Sequence, residues 1–85
     1  MAVQGQPDPI LRVTVGSPVY TRDHHKVGTV KERRRNAFKV ATPFLQRDYW
    51  IEADSVALAT PDGAVYLMFD KVELKDRRRG EPPSD

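Results

Sequence analysis

Both histidines of the chain stand side by side next to an aspartate, and this cluster could in principle ligate a metal ion. Asp23, His24 and His25 are consecutive. Adjacent residues of an extended strand point to opposite faces, so at most one histidine could share an ion with Asp23. A closed zinc site needs four ligands, and the chain has no cysteine and no third histidine. The segment is therefore predicted to be a polar hairpin turn, with no metal and no cofactor bound.

Residues that could perform catalysis are not arranged in a familiar pattern. The chain has no glycine-rich phosphate loop and no nucleophile elbow, and neither histidine stands in the context of a catalytic triad. A carboxylate pair acting in hydrolysis is conceivable, but so small a core leaves little volume for a pocket. Carboxylates fall at predicted turns and strand flanks, at Asp48, Glu52, Asp54 and Asp62. The protein is predicted not to be an enzyme.

A run of basic residues is the main candidate for binding. If the strand continued regularly through residues 31–35, Lys31, Arg33 and Arg35 would share one face. Glu32 and Arg34 would lie on the other face. Alternatively, residues 33–36 form the turn itself. In either case guanidinium groups suit phosphate or carboxylate partners. The alternative is that the basic run binds no partner and is a solvated edge that protects the sheet from pairing with another strand. The predicted basic patch consists of Lys31, Arg33, Arg34, Arg35 and Lys39.

The single tryptophan is a candidate interface residue. In a strand at 49–52, Tyr49 and Ile51 would share one face, and Trp50 would lie on the other beside a charged residue. An exposed tryptophan is a typical anchor of protein interfaces. A slip of register by one residue would instead bury Trp50 in the core.

The segment AVYLMF at 64–69 is apolar on both faces, which is unusual for an antiparallel strand of a small barrel. If Val65, Leu67 and Phe69 point inward, then Tyr66 and Met68 need cover. That cover would come from the chain ends, from a last short helix or from a second copy of the chain. Tyr66 and Met68 therefore join Trp50 as the predicted protein interface, and a homodimer is an open possibility.

Short apolar runs separated by glycine, proline and aspartate predict the elements that position these residues. Strands are expected near 11–15, 19–21, 27–33, 38–41, 49–52, 55–59 and 64–69, with an eighth at 72–74. The sequence Pro61-Asp62-Gly63 predicts the turn of a hairpin over 55–69. Closure into a barrel or roll would remove exposed edges. We expect an all-β fold of about six to eight short, mostly antiparallel strands.

Composition sets the limits of the domain and its charge map. At 85 residues the chain has room for one core. Residues 10–76 are expected to fold, and 1–9 and 77–85 to be loosely ordered, because both ends are polar and rich in proline. Segment 20–40 has seven basic and two acidic residues, and segment 48–76 has the reverse, so they carry +5 and −5. This predicts a bipolar molecule.

The patterns VGSPVYTRDHHKVGTV, FKV, DYWIEADSV and GAVYLMF together resemble the PRC-barrel superfamily, in particular its small stand-alone bacterial domains. The resemblance covers residues 13–74 and includes a V-G-x-V motif at Val27, Gly28 and Val30. Many members have Asp-Gly in the first turn, where this chain has Asp23-His24. The resemblance implies a small β-barrel that binds other macromolecules, and it brings no catalytic residues.

The predicted function is therefore a non-catalytic module for protein interaction or assembly. The alternative is binding of RNA or DNA through the basic patch and the arginines at 77–79. The first residues lack the charged and apolar regions of a signal peptide, and no apolar run reaches the roughly 20 residues that span a bilayer. A cytoplasmic protein without membrane contact is expected.

Overall fold

The strands of this protein are short, and their bounds follow the runs of β-branched and aromatic residues. The structure is a computed structural model that describes residues 13–42 and 47–82. Two single turns of 3-10 helix, Ala53–Ser55 and Lys71–Glu73, and one short helix, α1 (Leu74–Arg77), complete the described part. Its strands are β1 (Pro18–Tyr20), β2 (Lys26–Arg33), β3 (Ala37–Ala41), β4 (Tyr49–Glu52), β5 (Val56–Ala59) and β6 (Val65–Leu67).

All six strands of the described residues belong to one sheet, in the order β4-β3-β2-β1-β6-β5. Four of the five neighbouring pairs are antiparallel, and β1 and β6 run parallel. The prediction of a small all-β fold with mostly antiparallel strands is confirmed. The described sheet has six strands, the lower end of the expected number.

The sheet must curl, because its two edge strands are neighbours in the chain. β4 and β5 are separated by the three residues Ala53–Ser55, and four Cα steps reach about 14 Å at most. In a flat sheet of six strands the two edges would lie about 24 Å apart. The N–H of Met68 donates to the carbonyl oxygen of Ser55 at 2.8 Å and holds this corner. The described residues show no ladder between β4 and β5, so the curled sheet stays open at this seam.

The concave side of the sheet holds the core. Alternation along β6 directs Val65 and Leu67 inward, and Phe69 follows them, as the sequence predicts. In β4, Tyr49 and Ile51 belong to the core cluster, which decides between the two registers that the sequence left open. The other core residues are aliphatic or aromatic and come from β1, β2, β3, β5 and the segment before β1: Val13, Val19, Val27, Val30, Phe38, Val40 and Val56.

The predicted strand at 72–74 is wrong. Residues 71–77 form the 3-10 turn and α1, and a capping box explains why they are helical. The side chain of Glu73 accepts a hydrogen bond from the backbone N–H of Asp70 at 3.2 Å, while the Asp70 side chain caps the turn in return. Of the predicted strand at 11–15, residues 11 and 12 lie outside the described residues, and 13–15 lead into a turn at Gly16.

The expectation that 1–9 and 77–85 are loosely ordered stays a prediction. Residues 1–12 and 83–85 lie outside the described residues. Within the described stretch 77–82, Arg79 contacts the backbone of β4. That residue exchanges two backbone hydrogen bonds with Trp50 and so extends the sheet by one bridge beyond β4.

The hairpin predicted over 55–69 is confirmed, with its turn at Pro61-Asp62-Gly63. Gly63 has a φ of 100°, and its N–H donates to the carbonyl oxygen of Thr60 at 3.0 Å. The Thr60 hydroxyl donates to the carboxylate of Asp62 and also accepts from the N–H of Ala64 at 2.9 Å. This hydroxyl therefore organises the turn.

The turn between β1 and β2 repeats this arrangement. The hydroxyl of Thr21 donates to Asp23 and accepts from the N–H of His25 at 3.2 Å. The N–H of His24 donates to the carbonyl oxygen of Thr21 at 2.9 Å. His24 has a φ of 69° and takes the place that Gly63 has in the other turn. The sequences T-R-D-H-H and T-P-D-G-A therefore form the same type of turn. The similarity is hard to see in the sequence, because only the threonine and the aspartate are shared.

The backbone conformation of His24 gives a testable consequence. Positive φ costs an L-residue about 1 kcal/mol. In His24→Gly the relief of this strain should exceed the additional conformational entropy that a glycine loses when the chain folds. We expect His24→Gly to raise the free energy of unfolding by about 0.5 kcal/mol. The matched variant His25→Gly, at a position without positive φ, should lower it by about 0.5–1 kcal/mol. Urea denaturation measures both, and effects of the same sign would contradict the explanation.

Gly28 permits the close approach of β2 to β3. A Cβ atom at this position would lie 2.5 Å from Cγ1 of Val40 and would also overlap the carbonyl oxygen of Ala41. Backbone atoms of a paired strand cannot yield as a flexible side chain can. The sequence indicated a bulge or a close backbone approach at Gly28, and the structure has both: β2 approaches β3 closely at Gly28, and the ladder between β1 and β2 shifts register next to it.

We expect Gly28→Ala to lower the free energy of unfolding by about 2 kcal/mol or more, because the added methyl group separates two central strands. Gly80→Ala is the matched control, since a Cβ at Gly80 meets no atom within 4 Å. Chemical denaturation of both variants measures the effect. Equal stability of the two variants would contradict this account of the contact between β2 and β3.

Candidate functional site

Two runs of three arginines, distant in the sequence, meet at the outer side of β4. From the β2–β3 turn, the guanidinium carbon of Arg34 lies 5.2 Å from the centre of the Trp50 ring. Lys39, the cross-strand partner of Trp50, places its ammonium nitrogen 6.0 Å from the same ring. On the other side of β4, Arg79 pairs with the Trp50 backbone through hydrogen bonds of 2.7 and 2.9 Å. We call this surface, residues 31–35, Lys39 and Arg79 around Trp50, the basic face. Arg77 and Arg78 instead lie over the rings of Phe69 and Tyr49.

Trp50 is covered by these cations. It lies on the outer side of β4, opposite Tyr49 and Ile51, but its residue surface is only 4% exposed. Arg34 and Lys39 are attracted to the electron-rich face of the indole and shield it from solvent. The expectation of an exposed tryptophan anchor is therefore wrong, although the predicted side of the strand is right.

The bipolar charge map predicted from the sequence is also corrected. Ion pairs of 3.0 Å join Lys31 to Asp48 and Arg22 to Asp70, so the basic and acidic segments interleave in space. The Lys31 ammonium, as a hydrogen-bond donor, holds the pKa of Asp48 below its usual value. Each such exposed pair contributes little to stability. Their effect is to place carboxylates among the cations.

The basic patch combines the two arrangements that the sequence allowed. Lys31 and Arg33 belong to β2, where a bulge between Val30 and Glu32 interrupts the regular alternation. The turn begins at Arg34, whose N–H donates to the carbonyl oxygen of Ala37 at 2.7 Å. Arg35 sits in this turn and is exposed. The strand explanation holds as far as residue 33, and the turn explanation holds for 34–36.

A groove of about 580 Å³ opens beside the basic face, between β4 and the C-terminal segment. The hydroxyl of Tyr49 is buried in its wall, and no described group makes a hydrogen bond to it. Burial raises the pKa of Tyr49 to about 12, although the nearby charge of Arg78 acts in the opposite direction. The groove is lined by Arg47, Asp48, Tyr49, Lys75, Arg78, Arg79 and Gly80. Sequence analysis missed this groove, and the arginine run 77–79 was the available signal.

Tyr66 and Met68 lie on a different part of the outer surface. The rings of Tyr66 and Tyr20, which are cross-strand neighbours on β6 and β1, stack with centroids 5.2 Å apart. The next strand adds Leu58, opposite Tyr66 in the ladder. Leu58 and Met68 are 52% and 46% exposed. We call Tyr20, Leu58, Tyr66 and Met68 the aromatic surface. Since β2 and β3 lie between this surface and β4, the predicted interface divides into two.

The Asp23-His24-His25 cluster forms part of a structural turn. Asp23 accepts hydrogen bonds from the Thr21 hydroxyl and from the N–H of Lys71 at 3.1 Å. The Thr21 hydrogen bond is the main reason that the pKa of Asp23 lies below its usual value. His24 packs edge-on against Tyr66, and Nε2 of His25 lies 3.6 Å from Asp23. Within 13–42 and 47–82 no three potential ligands among His, Cys, Asp and Glu gather around one point.

Comparisons with known proteins find no protein that is similar to this chain. No protein-family model matches this chain, and neither curated proteins nor solved structures include a significant match. Over the described ranges, no helix has the length and apolar character needed to cross a membrane.

The buried hydroxyl of Tyr49 predicts a specific loss of stability in alkali. A tyrosine of the unfolded chain ionises near pH 10.0, whereas Tyr49 in the folded protein resists ionisation up to about pH 12. This ionisation leaves the free energy of unfolding unchanged below pH 10 and lowers it as the pH rises towards 12, because only the unfolded state releases the proton there. We expect wild type to lose about 2 kcal/mol more than Tyr49→Phe across this interval.

Denaturant unfolding at neutral pH and between pH 10 and 12 measures this difference. The phenolate absorbance of the native protein provides the control, because the chain has three tyrosines. A phenolate transition near pH 12 should appear in wild type and be absent from Tyr49→Phe. A wild-type titration without this late transition would contradict the burial of the Tyr49 hydroxyl.

Proposed function

We propose that this domain is a non-catalytic interaction module that binds an acidic surface of a partner protein through the basic face. The observation that supports this proposal is the meeting of two arginine runs at Trp50. The first run is held by the β2–β3 turn, and the second by the backbone bridge of Arg79 to β4. Guanidinium groups on fixed backbone segments lose little freedom when they bind carboxylates.

The mixed charge of the basic face favours a protein over a nucleic acid. Glu32 pairs with Arg34 at 3.4 Å, and Glu52 pairs with Arg79 at 3.0 Å, so carboxylates stand among the cations. Such carboxylates repel a continuous track of phosphates but can bind basic residues of a partner protein. Single-strand binders also offer aromatic rings for stacking, and Trp50 is 4% exposed. The basic face therefore suits a partner surface that carries both charges.

The aromatic surface supports the same class of function. Exposed apolar groups that adjoin one another on a small domain are typical of protein contacts. Leu58 and Met68 are half-exposed beside the stacked pair Tyr20 and Tyr66. This surface is our second candidate for a protein contact, and self-association through it is the form that a homodimer would take.

A catalytic role has less support from the geometry. The Asp23 and His25 side chains form the pair that most resembles a catalytic dyad, at 3.6 Å. The nearest hydroxyl, that of Thr21, donates its proton to Asp23 instead of facing the imidazole. Because the Thr21 hydroxyl is engaged with Asp23, this pair is better explained as turn structure.

We retain membership of the PRC-barrel superfamily and a cytoplasmic location as proposals. The curled sheet of six short strands and the V-G-x-V motif in β2 are compatible with that family. Gly28 of the motif has a structural role in this chain, at the contact between β2 and β3. Known members of the superfamily that this chain resembles bind macromolecules, in agreement with the proposed function.

Binding to defined acidic probes tests the proposal. We expect the wild-type domain to bind a glutamate-rich peptide more tightly than a single-stranded oligonucleotide of equal charge, measured by fluorescence anisotropy at several salt concentrations. The double variant Arg34→Glu/Arg35→Glu should weaken peptide binding about tenfold or more, because both side chains are exposed on the basic face.

The matched control is Lys26→Glu/Lys71→Glu, which changes the net charge equally at two exposed residues outside the basic face. It should bind the peptide with nearly wild-type affinity at physiological ionic strength, where charges more than about 8 Å apart are screened. An equal loss of peptide affinity in both double variants would show that the affinity depends only on the net charge of the domain, and would contradict binding at the basic face. Tighter binding of the oligonucleotide, with a steep salt dependence, would replace the proposal with nucleic-acid binding.

A further inference from the structure

The groove between β4 and the C-terminal segment has an excess of positive charge that the described residues do not neutralise. Four of its lining residues are basic and one is acidic. The acidic one, Asp48, already pairs with Lys31, and Arg79 pairs with Glu52. Among the described residues no ion pair is formed by the three remaining cations, Arg47, Lys75 and Arg78.

Tyr49 is a second and independent sign that a ligand belongs in this groove. Its residue surface is 4% exposed, and its hydroxyl is a buried donor without a hydrogen-bond partner among the described residues. A buried polar group left unpaired costs free energy, so native structures pair nearly all of them. Tyr49 lines the groove, and the guanidinium carbon of Arg78 lies 6.0 Å from its ring centre.

We propose that this groove binds a phosphomonoester, held by Arg78, Lys75 and Arg47 and by a hydrogen bond from the Tyr49 hydroxyl. The inference goes beyond the proposed function: the groove shares Arg79 with the basic face, but Arg47, Tyr49, Lys75 and Arg78 lie outside that face, and the groove needs no partner protein. A phosphomonoester carries nearly two negative charges at neutral pH and three acceptor oxygens, which match a site with three unpaired cations and one neutral donor. A single carboxylate would leave most of this charge unbalanced.

The size of the groove indicates that the phosphate group is attached to a larger molecule. Sites for small molecules commonly have volumes of about 300–1,000 Å³, and this groove has about 580 Å³. The side chain of Tyr49 is expected to remain a neutral donor, because burial raises its pKa to about 12. A neutral hydroxyl donates to the phosphate without repelling it, as a phenolate would.

Titration with small phosphates tests this site, and the single tryptophan provides the signal. Trp50 follows Tyr49 and pairs with Arg79, so occupancy of the groove should change its fluorescence. The probes are inorganic phosphate, O-phosphoserine and a sugar monophosphate, with acetate as the carboxylate comparison. We expect saturable binding of at least one phosphate, at least about tenfold tighter than acetate. The tighter of the two organic probes tells whether the phosphate is borne by an amino acid or a sugar.

Two variants distinguish phosphate binding in the groove from unspecific attraction to a positively charged protein. Tyr49→Phe removes one hydroxyl without changing the net charge and should weaken phosphate binding about tenfold. Arg78→Gln should weaken it at least as much, whereas the matched variant Lys26→Gln, outside the groove, should have no effect. Tyr49→Phe should keep or raise the denaturation midpoint, because it removes an unpaired buried hydroxyl.

Four results of the binding experiments and one of the denaturation experiment would overturn the inference. The four binding results are the absence of binding by every phosphate at millimolar concentration, unchanged affinity in Tyr49→Phe, equal loss in Lys26→Gln, and acetate binding as tight as phosphate. A lower denaturation midpoint of Tyr49→Phe would show that the hydroxyl has a partner in the free protein, and would also reject it. Because Tyr49→Phe leaves the charges of the basic face unchanged, it should still bind the acidic peptide, so the two proposals fail separately.

Discussion

The short connection between β4 and β5 is the constraint on which the rest of the structure depends. Because only Ala53–Ser55 join strands at opposite edges of the sheet, six strands must curl around one core. Curling gives every strand a dry inner side and a wet outer side, and it requires β2 and β3 to approach closely at Gly28. A domain this small has no second layer of structure, so binding is left to the outer side and to the open seam.

The outer side of the curled sheet divides into two chemically different surfaces. At the β4 end, cations cover Trp50 and interleave with carboxylates, and at the β5 end, aromatic and aliphatic groups around Tyr66 lie half-exposed. Cross-strand pairing produces this division, because each ladder position brings together residues of the same face. The C-terminal segment then adds the second arginine run to the β4 edge through the backbone of Arg79. It also completes the wall of the groove beside Tyr49.

Much of the fold was predictable because its signals are local. Alternation placed Val65 and Leu67 inside, and the turn sequence before Gly63 located a hairpin. The sequence left the register of β4 open, and the core positions of Tyr49 and Ile51 decide it. The strand predicted at 72–74 was wrong because a capping box between Asp70 and Glu73 outweighed the short apolar pattern. The equivalence of the two Thr-x-Asp turns escaped notice because glycine and histidine share a backbone conformation without sharing a side chain.

By itself the sequence determined the class of fold, the polarity of most strand faces and the presence of two arginine runs, since these depend on residue type and short spacing. The tertiary structure alone decided that one arginine of each run, Arg34 and Arg79, lies beside Trp50 and that Arg34 covers its ring. It also decided that the acidic segment neutralises part of the basic one. Strand pairing joins residues far apart in the chain, and nothing in the local pattern records which distant backbone will occupy the free edge of β4. The groove at Tyr49 exists for the same reason, because one wall comes from residues 47–49 and the other from residues 75–80, about thirty positions later in the chain.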